Sequence, residues 1–199
     1  MDAIPVRLQE ITSRLDRGEI DAAGFLEAFC RFLTDHIGCN RAGIWLFGEG
    51  RRGRMLRSVA LYDRRADAMV NAADLVASEM ATYFEHLLRD GIVVARDARS
   101  DPATIGILDA YLLPEDVHSI LDTCFSINGQ LWGTFCCEQT GAPIDWSPKQ
   151  IRALRSVASR ASLSLLKAFD NAYDTAPAPL WDSSSPQRLI TRIQEFDPL

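Results

Sequence analysis

The chain has 199 residues, 47% of them apolar and 24% charged, a globular composition long enough to bury a core without disulfide or metal staples. Its net charge of −6 argues against non-specific binding to nucleic acid or to an anionic membrane. No apolar run approaches the ~18 residues of a bilayer span, and Met1–Pro5 lacks the features of a secretory leader, so a cytoplasmic protein with reduced thiols is expected for its five cysteines.

The elements follow in chain order. Ile4, Leu8, Ile11 and Leu15 make one stripe of a short amphipathic helix, closed by Gly18. Asp21 caps a second helix reaching Ile37, with Phe25, Phe29, Phe32 and Leu33 on its buried side and Gly38 as a left-handed cap. Arg41–Phe47 reads as a strand, Gly48–Arg54 as a turn whose arginines form a solvated basic cluster, and Met55–Tyr62 as the returning strand. Simple alternation puts Leu56, Ser58 and Ala60 on one face of that strand and Met55, Arg57, Val59 and Leu61 on the other. Asp63–Leu75 suggests a surface loop with a short helix.

A helix over Ala77–Leu88 ends at Gly91, and Ile92–Ala95 is a short strand. After the polar turn Asp97–Pro102, a helix carries Ile105, Ile107, Leu108, Tyr111 and Leu112 and stops at Pro114. His118–Ile127 and Leu131–Glu138 are strands joined by Asn128-Gly129, a strong hairpin signal because both turn positions need positive φ. They are apolar on both faces and belong at the centre of a covered sheet. Ser147-Pro148-Lys149-Gln150 is a capping box opening a long helix to about Phe169. Thr175–Pro179 is a linker, and Leu189, Ile190, Ile193 and Phe196 stripe a last short helix. This order gives an α+β layer fold.

The pieces resemble the GAF family of sensor modules. The likeness is carried by Arg41–Phe47, by Tyr83-Phe84 through Ile92–Pro102, and by Ser119–Asp122 through Gly129–Glu138 followed by Trp146-Ser147-Pro148. It implies a GAF/PAS-like (profilin-like) central antiparallel sheet flanked by helices on both faces. The implied organisation is an N-terminal helix over 1–19, a GAF domain over 20–172, and a linker with a short helix over 173–199, as a free-standing module. It further implies a bacterial signalling role, a small-molecule ligand, a homodimer through the first and long helices, and a signalling protein as partner. Neither nucleic acid nor membrane is expected.

No chemistry-bearing constellation emerges. His36, His86 and His118 lie on different elements, and Cys136 and Cys137, adjacent on a strand, point to opposite faces, so no metal site and no cofactor is expected. The segment Asp97–His118 has no cysteine for covalent bilin attachment. One branch of the family reduces methionine sulfoxide with pocket thiols. Here only Cys124, Cys136 or Cys137 could serve, and no cation is visibly placed to activate them. A non-catalytic role is therefore expected. The resemblance places the pocket between the sheet and the two crossing helices, lined by Trp45, Ser58, Tyr62, Tyr83, Phe84, Val94, Asp97, Ile107, Tyr111, Ile120, Asp122 and Phe135. Two readings stand side by side. In one the aromatic residues form a cage in which Asp97, Asp122 and the tyrosines orient a ligand. In the other they are core packing, Asp97 serves its own turn, Asp122 pairs with Arg96 or the backbone, and the protein is a ligand-free interaction module.

Overall fold

Capping chemistry sets the helix ends. In the computed structural model, which describes residues 3–50, 53–161 and 164–168, helix α1 (Ala3–Asp16) buries Leu8, Ile11 and Leu15. Helix α2 (Ala22–Ile37) starts where Asp21 Oδ1 accepts the Gly24 N–H at 2.8 Å and ends at Gly38, whose φ of 78° a side chain would resist. Helix α4 (Pro148–Arg160) opens on the reciprocal Ser147–Gln150 box. It is shorter than the expected run to Phe169, which lies outside the described residues. Helical bonding resumes over 164–168, where the Leu165 N–H donates to Ala161 O at 2.9 Å. The predicted tail helix and the arginines of the 51–52 turn also lie outside the described residues. No helix among the described residues is long and apolar enough to cross a membrane.

The strands are β1 (Arg41–Gly50), β2 (Gly53–Asp63), β3 (Ala68–Met69), β4 (Leu75–Val76), β5 (Ile92–Ala95), β6 (Val117–Ile127) and β7 (Gln130–Thr140). Among the described residues they form one seven-stranded sheet in the order β3-β2-β1-β7-β6-β5, with β4 paired to β2. The observed pairings are antiparallel, and the two expected central strands are neighbours. The short helix expected within Asp63–Leu75 is absent. That segment is a turn followed by β3 and β4, because its polar residues satisfy backbone groups locally: Asp63 Oδ1 accepts the amides of Arg65 and Ala66.

Three bulges interrupt the alternation. Ile44 faces Ala60 and Trp45 faces Ser58, leaving Val59 without a partner. Phe125 faces Gly133 and Ser126 faces Leu131, leaving Trp132 extra, and His118 is extra at the far end of the same ladder. Each inserted residue shifts the phase by one and turns everything beyond it to the opposite face. Leu56 and Leu61 thus share a face, and Ala60 and Tyr62 leave the one predicted for Ser58. The Trp132 bulge likewise sends Phe135 to the face opposite Asp122, which instead faces Cys136.

The helix α1, α2 and α4 side is closed by aromatic packing. Phe29 contacts Phe135 at 5.2 Å between ring centroids, and Phe135 stacks on Phe125 at 4.5 Å. The other side is covered by α3 (Ala81–Asp90), a 3-10 turn (Ile105–Ile107) and a π-type turn (Leu108–Leu112). The helix expected there is broken into these two turns, and the Leu113 N–H reaches back to Leu108 O. Trp45, Leu56, Leu61, Tyr83, Phe84, Leu87 and Tyr111 pack on this side.

Gly133 marks the closest backbone approach at the bulge, since a Cβ there would lie 2.1 Å from the carbonyl oxygen of Trp45. Gly133→Ala is expected to destabilise the protein by about 1–3 kcal/mol or more. Gly106→Ala, whose nearest neighbour would be Met80 Cα at 4.0 Å, should change stability by less than about 0.5 kcal/mol. Urea unfolding of both variants measures the difference.

Candidate functional site

The sheet face beneath α3 is built from alternate residues of three adjacent strands. Strand β1 supplies Arg41, Gly43 and Trp45, β7 supplies Cys136 and Glu138, and β6 supplies Ile120 and Asp122. Cross-strand pairing puts Asp122 opposite Cys136, Ile120 opposite Glu138, and Arg41 opposite Glu138. Asp122 and Glu138 are wholly buried, and Arg41 is 3% exposed.

Each carboxylate takes a hydroxyl from a different part of the covering layer. Tyr83 on α3 donates to Asp122 Oδ2 at 2.5 Å. Tyr111, in the π-type turn, donates to Glu138 Oε1 at 2.6 Å. The Cys136 thiol lies between them, 3.4 Å from Glu138 Oε1 and within bonding reach of Asp122. Arg41 closes the far end. Its Nη2 pairs with Glu115 Oε2 at 2.9 Å and its Nη1 donates to the Glu115 carbonyl, while Glu138 Oε2 and Asp63 Oδ2 lie 3.6 and 3.5 Å from the guanidinium. A polar chain thus runs Tyr83–Asp122–Cys136–Glu138–Tyr111 through an otherwise apolar layer.

Several polar atoms on this face lack a bond. Arg41 Nε, Trp45 Nε1, Asp122 Oδ1 and Glu138 Oε2 are buried without a hydrogen-bond partner. Arg41 Nε and Glu138 Oε2 are still near opposite charges, whereas no ion pair among the described residues includes Trp45 or Asp122. Buried polar groups are normally satisfied, so such a concentration on one face leaves sites for water or a ligand. Trp45 is positioned by a missing side chain: a Cβ on Gly43 would lie 2.6 Å from its Cζ3, so the indole folds back over Gly43.

Burial sets the protonation of the cluster. It pushes the Asp122 carboxyl up to about 7, against bonds from Cys136 and Tyr83 that favour the carboxylate. It raises Glu138 too, with Arg41 opposing. Burial works against the charge of Arg41, yet Glu138, Tyr111 and Glu115 hold its pKa above the ordinary value. The Tyr83 and Tyr111 hydroxyls are raised by burial and by the adjacent carboxylates. The thiols are likewise held neutral: Cys124 is pushed up to about 12 and Cys136 well above its usual range, by burial first and Asp122 second. These are the reverse of the conditions that activate a cysteine. Among the described residues, no group of three or more His, Cys, Asp and Glu side chains could hold a metal ion.

Of the residues expected at the pocket, Trp45, Tyr83, Phe84, Ile107, Tyr111 and Ile120 share this face, with Asp122 bonded into it. Ser58 is half-buried beside Trp45, its amide donating to Asp74 Oδ1. Tyr62 and Phe135 are corrections, since the bulges turn both to the α2 side. There Tyr62 accepts from Arg31 Nη1 at 2.7 Å, beneath a guanidinium 4.3 Å from its ring. Val94 is 41% exposed on the edge strand β5. Asp97 accepts from the Arg99 amide and the Ser100 hydroxyl within its own turn. Arg96, considered as a partner for Asp122, pairs with Asp145 instead. Arg41 and Glu138 are not among the residues the sequence points to, and Cys136 is there only as a candidate thiol. The available signal was a charge at each end of apolar strand segments, Arg41 before Ala42–Phe47 and Glu138 after Phe135–Cys137.

Solution titration and thiol reactivity check this electrostatic picture. The folded protein keeps a proton on Asp122 that the unfolded chain, with an aspartate pKa of about 3.9, has released. Folding therefore takes up a proton between about pH 4 and pH 7, and raising the pH through that window lowers stability. The loss from this group is on the order of 4 kcal/mol and is complete above its folded pKa. Asp122→Asn, which cannot ionise, should flatten that part of the curve in denaturant unfolding across the window. Iodoacetamide at neutral pH should modify Cys124 and Cys136 of the native protein only slowly and both quickly in urea. A fast native thiol would restore the thiol-enzyme alternative.

A family model described as GAF domain matches residues 21–165. No curated protein matches the chain. Similar solved structures include the phycoerythrobilin-bound GAF domain from a cyanobacterial phytochrome, at TM-score 0.62 and 15% identity, covering 83% of this chain and 95% of that one. The phycocyanobilin-bound GAF domain from a cyanobacterial phytochrome gives 0.61 and 15%, covering 86% and 96%. The GAF domain from Acinetobacter phosphoenolpyruvate-protein phosphotransferase gives 0.59 and 15%, covering 85% and 97%. At these identities the likeness to the solved structures concerns the fold alone.

Proposed function

Since the chain belongs to the GAF domain family, we propose that it is a non-catalytic sensor or regulatory domain that binds a small molecule between the sheet and the α3 layer. The observation that carries this reading is the concentration of buried, unsatisfied polar atoms on that face, framed by Trp45, Tyr83, Phe84 and Tyr111. Some of the similar structures hold bilins. In this chain residues 97–118 contain no cysteine, so no thiol of that segment tethers a ligand.

The same geometry supplies a mechanism. Asp122 and Glu138 hold α3 and the Leu108–Leu112 turn through one tyrosine each. A ligand that competes for either carboxylate releases or re-aims its tyrosine and shifts the covering layer between two positions. Output runs through the opposite layer, where α1 and the 164–168 segment are joined by Thr12–Ser164 and Lys167–Asp16 bonds. In this reading that layer forms a homodimer in the bacterial cytoplasm and passes the signal to a partner protein. The alternative is a ligand-free interaction module, favoured by the fact that both tyrosines already occupy one oxygen of each carboxylate.

Native mass spectrometry of freshly purified protein separates these readings. Sensing predicts a retained non-peptide mass on a dimer, and saturation with that compound at a hundredfold excess over its Kd should add about 2.7 kcal/mol of stability. A clean protein mass, together with no thermal shift across a metabolite panel, would leave the interaction module.

A further inference from the structure

The charges on this face are unevenly matched. Arg41, the guanidinium buried there, is engaged by Glu115, Glu138 and Asp63. Asp122 accepts the Tyr83 hydroxyl on Oδ2, and its Oδ1 has no hydrogen-bond partner. A wholly buried carboxylate without a counterion is relieved in one of two ways: it takes a proton, or a cation is brought to it. The surroundings suit a cation. Tyr83 bonds Asp122 directly, Phe84 packs edge-on to Tyr83 at 6.1 Å between centroids, and the Trp45 indole lies over Gly43 on the same face, two strands along the sheet from Asp122. Aromatic faces attract cations, more strongly where water is excluded. An anionic ligand would meet two carboxylates and a guanidinium already engaged.

We infer that the site takes a small monocationic ligand of the amine, amidine or guanidine class, its N–H groups on Asp122 Oδ1 and its apolar body against Trp45, Tyr83 and Phe84. The inference rests on the sensor reading and names its ligand class. Binding exchanges one cation for another: the carboxylic acid of Asp122 gives its proton to solvent, and the carboxylate formed pairs with the ligand. The unpaired Trp45 N–H is left for an acceptor atom on the ligand's far side.

The test titrates the full chain with benzamidine, benzamide and benzoate, which share a ring and differ in charge, by calorimetry in buffers of different ionisation heat. Benzamidine is expected to bind at least roughly tenfold more tightly than benzamide, and benzoate more weakly still. Its binding should release up to about one proton below pH 7 and tighten as the pH rises toward that value, while benzamide binding should not respond to pH. Asp122→Asn, shown by circular dichroism to be folded, should bring benzamidine and benzamide within about twofold of each other. If that variant does not fold, the pH dependence of the two affinities in the unaltered protein decides. Equal binding of the three compounds, or a cation preference that survives Asp122→Asn, overturns the ligand class and leaves the sensor reading standing. No binding of benzamidine also overturns it. The sensor reading falls separately, on a clean native mass and an unresponsive metabolite panel.

Discussion

Two carboxylates buried beneath a helical layer must each find donors. On this sheet the donors come from separate segments of that layer. Tyr83 reaches Asp122 from α3, and Tyr111 reaches Glu138 from the π-type turn. The covering layer is therefore held by polar contacts of fixed geometry as well as by apolar packing. Hydrogen bonds of this kind are directional and have few alternatives in a dry interior. A change in the protonation or partnering of Asp122 or Glu138 is in that sense a change in where α3 or the Leu108–Leu112 turn can sit.

The two faces of the sheet divide stability from adaptability. The α1, α2 and α4 side is a packed aromatic and aliphatic core in which Phe25, Phe29, Phe125 and Phe135 are almost fully buried. The α3 side carries the polar chain, the unsatisfied atoms and the irregular turns at 105–112. Local rules of packing and polar satisfaction agree on the first side and conflict on the second. Such conflict is where functional sites are expected, and irregular turns with few regular backbone bonds open more readily than helices.

Local chemistry was legible in the sequence and strand phase was not. Asp21, Gly38, Asn128-Gly129 and Ser147–Gln150 each act within a few residues, so their side-chain and backbone requirements fix the nearby structure. The central β6–β7 hairpin followed from the same kind of signal. The bulges at Val59 and Trp132 depend on how paired strands twist against each other, and neither residue type announces one. Strict alternation groups Ala60 with Ser58, and the resemblance puts Tyr62 and Phe135 in the pocket with Ser58 and Asp122; the bulges turn Ala60, Tyr62 and Phe135 to the other face. Cys136 and Glu138 are hidden for a related reason: a cysteine in an apolar strand reads as a small hydrophobe, and nothing local to Glu138 announces its buried partners. Only the third dimension brings Arg41 and Tyr111 to it.

The central claim is that Asp122 is a buried carboxyl with no counterion. Its side-chain carboxyl 13C shift, followed by NMR through a pH titration of the folded chain, reports that directly. The account predicts a midpoint displaced upward to about 7, with the Tyr83 ring signals moving in the same step. A midpoint near the ordinary value of about 3.9 would mean that the carboxylate is solvated or paired, and would contradict it.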